Sequence, residues 1–278
     1  MAVRLACADF SFPLLPHRLA LKLIADLGFD GVDIGLFGGG AQLSPETVLA
    51  NVSVSARDVS QKIADAGLLL ADVFLIPGSF DMLAANHPDA AERGKSRDLF
   101  QRCLEFTCLC EGKHMTALPG IPWKGETLEA SQSRASDELA WRVEQAAAAG
   151  IIFSVEPHLE SIIEAPEATI AFLDRTPGLT VTLDYTHFTY QGIQDSRIEP
   201  LIRRASHFHA RAAAAERLQL PLKQNVIDYA RVVQAMARDG YRGFVGVEYC
   251  WDGWKQCNEV DVLSETILMR DLLRGAAN

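Results

Sequence analysis

Four residues near the ends of short apolar runs carry the chemistry in this sequence. Glu156 follows Ile151-Ile-Phe-Ser-Val155, Asp184 closes Val181-Thr-Leu-Asp184, His209 closes Ala205-Ser-His-Phe-His209, and Glu248 closes Gly243-Phe-Val-Gly-Val-Glu248. Each run reads as a buried parallel strand, and parallel α/β proteins place their sites at the carboxyl ends of such strands. A single acid there is ordinarily a cap or a salt-bridge partner. Glu, Asp, His and Glu on consecutive strands form a ligand set for one divalent cation. Three carboxylates and a neutral imidazole carry a charge of about −3, and without a cation such crowded acids repel one another and take up protons. Hard oxygen donors with one nitrogen suit Mn²⁺, with Mg²⁺ and Co²⁺ close behind and Zn²⁺ and Fe²⁺ still open.

A cation with free positions holds two neighbouring sugar oxygens and eases removal of the adjacent C–H proton. Glu156 and Glu248 can double as ligands and proton carriers. Removal from one face and return to the other is epimerisation; return to a neighbouring carbon is isomerisation. Several nearby residues are placed to meet a substrate. His158 lies two residues beyond Glu156, His187 three beyond Asp184, and Arg211 two beyond His209. For His158 the alternative is a plain loop position, and for Arg211 it is pairing with local acids. Trp123, Trp251 and Trp254 fall in loops after the fourth and eighth strands, where aromatics wall sugar pockets or pack interfaces. His207 shares a strand face with His209 but lies deeper, so it reads as a packed or hydrogen-bonded histidine. His114 opens a strand and reads as structural.

The elements that position these residues alternate along the whole chain. Strands are expected at Val3–Cys7, Gly31–Gly35, Leu68–Leu75 and His114–Leu118, followed by the four that deliver the site. Helices are expected between them: Leu15–Leu27, Ser44–Ala66, Asp89–Cys110, Glu126–Ala149, Pro166–Asp174, Ile198–Arg203, Asn225–Arg238 and Val260–Leu273. Ser44-Pro-Glu supplies an N-cap, a proline at the first helical position and an acid in the first turn. Eight strand–helix units in one chain of 278 residues fit a single (β/α)₈ TIM barrel over residues 1–278. An open doubly wound sheet is the alternative. It would line up the four strand ends in a row, whereas a closed sheet turns them toward one centre.

Bulk composition narrows the partners. The net charge of −10, from 26 basic and 36 acidic residues, argues against a nucleic-acid backbone as partner. A small phosphorylated substrate needs only one or two cations and stays open. No apolar run approaches the roughly 18 residues of a membrane span, and the start Met1-Ala-Val-Arg-Leu5 lacks the pattern of a signal peptide. The six cysteines form no CxxC pair and read as free thiols of a cytoplasmic protein. Gly38-Gly-Gly40 matches neither GxGxxG nor GxxxxGK, so it reads as a flexible loop.

Val155-Glu-Pro-His158, Leu183-Asp-Tyr-Thr-His187, His207-Phe-His-Ala-Arg211 and Val247-Glu248 resemble the xylose-isomerase-like barrels, a large family of sugar isomerases and epimerases. Gly28-Phe-Asp-Gly-Val-Asp33 is similar to the start of that family's second strand. The resemblance implies a divalent metal on Glu156, Asp184, His209 and Glu248, with His187 and Arg211 near the substrate and Glu156 and Glu248 as the acid–base pair. It also implies a small sugar or polyol as substrate, and barrels that pair through their loop faces. Two positions depart from the ketose 3-epimerase pattern: Ile162 stands where a second glutamate is expected, and Ala215 where an arginine is expected. The same first proton abstraction would also serve a dehydratase of a keto-polyol such as an inosose. A binding module that keeps the pocket without turnover is the non-enzymatic reading.

Overall fold

A computed structural model describes residues 3–277. Eight parallel strands run in sequence order and close on themselves. They are β1 (Arg4–Ala8), β2 (Gly31–Phe37), β3 (Leu69–Ile76), β4 (His114–Ala117), β5 (Ile152–Val155), β6 (Thr180–Asp184), β7 (Ala205–Ala210) and β8 (Phe244–Val247). Closure is made by β1 against β8, with Cys7 opposite Val247. The open-sheet alternative is therefore excluded. The chain is a (β/α)₈ TIM barrel.

Ten α-helices are described: α1 (His17–Asp26), α2 (Pro45–Ala50), α3 (Val52–Ala66), α4 (Ala90–Leu109), α5 (Leu128–Ala148), α6 (Pro166–Arg175), α7 (Tyr185–Tyr190), α8 (Asp195–Ile198), α9 (Tyr229–Arg238) and α10 (Val262–Ala277). The main apolar core lies between the strands and these helices, and includes Leu21, Phe100, Leu139, Phe172 and Met269. Each such side chain contributes about 1.5–3 kcal/mol by leaving water. Glu138 on α5 gathers Arg93 and Arg97 of α4 at 3.2 and 2.8 Å, clamping the two long helices together.

The element boundaries depart from expectation in four places, one being the helix expected from Asn225, which begins only at Tyr229. The helix expected over 44–66 is two helices, broken at Asn51 (φ −139°, ψ 80°), whose side chain caps the second by accepting from the Val54 N–H. Residues 199–204 form a 3₁₀ segment rather than an α-helix, preceded by the short α8. An unexpected helix, α7, starts directly after β6, because the Asp184 carboxylate accepts from the Thr186 N–H and nucleates the turn.

The barrel interior is unusually polar. TIM barrels are ordinarily filled with branched aliphatic side chains. Here Thr116, Ser154 and Thr182 form a closed triangle of hydroxyl contacts at 2.6–3.1 Å. Beside it, His114 Nδ1 donates to Asp72 at 2.7 Å and His207 Nε2 to Asp33 at 3.1 Å. His114 and His207 are thus both hydrogen-bonded structural residues. None of the described helices is long and apolar enough to cross a membrane. All six cysteines are free thiols.

Candidate metal centre and substrate cavity

Three of the four strand-end residues converge closely. Glu156 and Glu248 each extend their strand by one step, their N–H groups donating to Ala117 and Ala210 of the neighbouring strands at 3.1 Å. That last ladder bond aims both carboxylates into the barrel mouth. His209 stands between them, with Nδ1 2.7 Å from Glu156 Oε1 and 3.4 Å from Glu248 Oε1. Donor atoms of Glu156, His209 and Glu248 lie within 4.8 Å of one another, all buried. His209 Nε2 and Glu248 Oε2 are buried with no hydrogen-bond partner. Convergent donors and spare lone pairs fit a divalent cation.

Asp184 reaches the same centre by a different route. Its Oδ1 accepts from the Thr186 N–H and its Oδ2 from the Thr186 hydroxyl and Arg211 Nη2, at 2.8, 2.7 and 3.0 Å. Arg211 also sets Nη1 3.3 Å from Glu248 Oε2, an ion-pair distance without hydrogen-bond alignment. The guanidinium therefore bridges Asp184 and Glu248 from the side. His187 Nε2 lies 3.5 Å from Asp184 Oδ2 and 3.7 Å from Glu156 Oε2. Three of the four expected ligands form one compact triad, and Asp184 is separated from it by Arg211 and His187.

Charge is unevenly shared within this group. Burial pushes Glu248 up to about 8, against the pull of His209 and Arg211. Burial would also raise Glu156, but the hydrogen bond and charge of His209 hold it below the usual carboxylate range. For His209 burial favours the neutral ring; Glu248 and Glu156 outweigh it and lift the imidazole to about 10. In the cation-free protein the His209 proton and the Arg211 guanidinium supply the positive charge the carboxylates require. Burial keeps His158 and His187 below the ordinary imidazole range, and both are neutral.

A cavity of about 260 Å³ opens onto the centre, its polar wall made by Glu156, His158, His187, Arg211, Glu248 and Asp252. The rest of the lining is largely aromatic, from Phe10, Phe37, Phe74, Phe80 and Trp254. Trp254 stacks on His158 at 4.9 Å and 19°, and Phe80 meets the same ring edge-on at 4.7 Å. His158 Nδ1 donates to the Leu159 carbonyl at 2.7 Å, so its Nε2 is the acceptor. A larger depression of about 1240 Å³ lies at the opposite, N-terminal mouth of the barrel and contains none of the strand-end acids.

Trp123 does not line the cavity. Its indole donates to Asn86 at 3.1 Å and its ring meets His87 at 4.5 Å. Trp254 takes the wall position instead, while Trp251 is 42% exposed at the cavity's outer edge. The glycine loop after β2 also reaches the cavity through Gly38 and Gly39. A side chain at Gly38 would overlap the Pro77 carbonyl, which explains the glycine without any nucleotide. The aromatic wall from Phe10, Phe37, Phe74 and Phe80 was not legible in sequence, since isolated phenylalanines read as core.

A closed parallel barrel with a carboxylate–histidine cluster at its C-terminal mouth defines a (β/α)₈ protein with a candidate divalent-cation site beside a small cavity. The chain belongs to the xylose isomerase-like TIM barrel family, whose sequence profile matches residues 21–271. No curated protein matches it significantly. Among solved structures it is similar to a D-psicose 3-epimerase from Clostridium cellulolyticum H10 (16% identity, TM-score 0.80, 99% of each chain covered). It is also similar to an L-ribulose 3-epimerase (17% identity, TM-score 0.78, 100% of this chain and 95% of the other). A third likeness is to a probable 3-DHS dehydratase, AsbF, from Bacillus anthracis (13% identity, TM-score 0.71, 96% and 98% covered). At these identities the likenesses speak to the fold.

Proposed function

We propose that this protein is a divalent-metal-dependent epimerase or isomerase of a small, unphosphorylated sugar or related polyol. The observation that carries the reading is that Glu156, at the end of β5, and Glu248, at the end of β8, converge from separate strands on His209 Nδ1, at 2.7 and 3.4 Å. Glu156, His209 and Glu248, with Asp184 beside them, would hold the cation, and Mn²⁺ suits this donor set. The bound cation would polarise a substrate carbonyl and its neighbouring hydroxyl.

The chain's own residues supply the rest. Glu156 is ionised and can take the C–H proton, and Glu248 can exchange one on the other side. His158 and His187, both neutral, offer hydrogen bonds to hydroxyl groups. Trp254 and Phe80 cover the apolar face of a sugar ring and exclude water. Arg211 is the only Arg or Lys lining the cavity among the described residues, and it is already engaged by Asp184 and Glu248. Asp252 adds a further acid to the wall. A phosphate would meet repulsion there, which favours a neutral substrate.

Proton exchange in D₂O tests this reading. Mn²⁺-loaded protein is expected to introduce deuterium at the inverted carbon of a free ketose, and chelation is expected to abolish it. Full turnover after chelation would overturn the metal reading. A dehydratase is the second reading: the same proton abstraction by Glu156 beside a carbonyl could be followed by departure of a β-hydroxyl. Loss of water from a keto-polyol without inversion would establish it.

A further inference from the structure

Beside the candidate metal centre two buried atoms lack partners, on residues that lie close to one another. His209 turns Nδ1 toward Glu156 and Glu248, and its Nε2 is unpartnered. Asp33 on β2 is completely buried; its Oδ2 takes the His207 Nε2–H at 3.1 Å, and its Oδ1 is unpartnered. Donor atoms of Asp33, His207 and His209 lie within 4.8 Å of one another. One orphan is a nitrogen that carries a proton whenever Nδ1 binds a cation, and the other is an acceptor.

We propose that Asp33 is the positioning residue for His209, receiving its Nε2–H directly or through one water and so presenting a bare Nδ1 to the cation. This rests on the metal-binding reading of the centre and adds the means by which it is oriented. A carboxylate behind a ligating histidine fixes both tautomer and ring orientation. The surroundings are built for it. His207 anchors the second oxygen of Asp33, so the carboxylate cannot swing away. Gly246, opposite His209 in the β7–β8 ladder, leaves the necessary space. Any side chain there would overlap Asp33 Oδ2 and crowd His207 Nε2 at 3.2 Å. A second cation among Asp33, His207 and His209 is the competing account. It would require Nε2 as a ligand while Nδ1 serves the first, stripping both protons from one imidazole.

Mn²⁺ titration calorimetry of wild type, Asp33→Asn and Gly246→Ala, with histidine ¹H–¹⁵N spectra of the Zn²⁺-loaded wild type, tests the proposal. Wild type is expected to bind one Mn²⁺ and to show His209 protonated at Nε2. Asp33→Asn is expected to lose about 10- to 100-fold in affinity with an unchanged circular dichroism spectrum, and Gly246→Ala, which displaces the carboxylate without removing it, to lose affinity in the same direction. A D33N affinity within about twofold of wild type, set against that same range, would overturn the proposal. So would His209 protonated at Nδ1, or a second bound Mn²⁺ that D33N loses. The wild-type spectra decide the matter even if a variant fails to fold. Wild type that binds no divalent ion would sink the metal reading itself, a distinct result.

Discussion

Arg211 Nη2 donates to Asp184 Oδ2 over 3.0 Å, and the same guanidinium lies 3.3 Å from Glu248. A fixed cation thus sits against two of the residues expected to bind a mobile one. Arg211 is itself held: Tyr229 donates to its carbonyl at 2.7 Å, and its Nη1 meets Cys250 Sγ at 3.2 Å. In the proposed centre it would neutralise the acids without a metal and compete with one that binds.

Replacing this arginine separates those two effects. Arg211→Met leaves buried carboxylates uncompensated, and the metal-free protein is expected to lose about 3–5 kcal/mol of stability. Mn²⁺ is expected to raise the melting temperature of the variant more than that of wild type, because the competing charge is gone. Thermal unfolding with and without Mn²⁺ measures both; equal shifts would show that Arg211 and the metal do not share these acids.

Metal uptake should release protons. Glu248, pushed up to about 8, and His209, lifted to about 10, both carry protons at neutral pH in the metal-free protein. Each must lose its proton to ligate, so Mn²⁺ affinity is expected to strengthen as pH rises from 6 toward 8. Calorimetry at pH 7 in buffers of different ionisation enthalpy should report one to two protons released per Mn²⁺. Zero release would contradict the assignment of Glu248 and His209 as ligands.

The two glutamates should fail in different ways. Glu156→Gln is expected to remove exchange of the substrate proton altogether, while Glu248→Gln keeps some exchange without inversion. Each should lower turnover by about 10²- to 10⁴-fold. Deuterium wash-in and product ratio, read by NMR, separate the two; identical residual patterns would remove the distinct roles.

Stability should fall in acid through the barrel interior. Asp72 is penalised by burial, but His114 overcomes this and brings the carboxyl down to about 2. Burial also holds His114 below its ordinary value. A depressed carboxylate stabilises above its unfolded value and loses that contribution as pH falls through about 2. A depressed histidine costs stability once pH drops below its unfolded value. Both signs agree, so denaturant midpoints are expected to decline from pH 6.5 downward; Asp72→Asn removes the acid that supports a protonated His114, so it is expected to decline at least as steeply above pH 4 and to lack only the further drop below it. A flat profile above pH 4 would argue against a neutral buried His114.

The cavity wall offers a direct contrast. Trp254→Ala removes the plane stacked on His158 and is expected to raise KM by about 2- to 13-fold, the worth of an aromatic contact of 0.5–1.5 kcal/mol. Trp123→Phe, beside Asn86 and His87, is expected to leave KM unchanged. The reverse outcome would move the substrate to the β4 side of the barrel.

What the sequence determined by itself was local and periodic. Apolar runs ending in Glu156, Asp184, His209 and Glu248 mark strands by their length and their terminators, and eight strand–helix alternations leave few architectures. Convergence of Glu156, His209 and Glu248 follows from closure of the sheet, so it too was legible, whereas the engagement of Asp184 by Thr186 and Arg211 was not. The tertiary structure decided everything that depends on which distant side chains meet. Arg211 was recognisable as a cation near the site, but its grip on Asp184 and Glu248 depends on three strands arriving in register. Trp123 and Trp254 are alike as sequence signals; only the path of the loop after β8 puts one of them over His158. The polar barrel interior was equally hidden, since Asp33 and His207 stand 174 positions apart. Periodicity reports which face of an element is buried. It carries no information about the partner that face will find, and partners decide whether a buried acid is a ligand, a cap or a support.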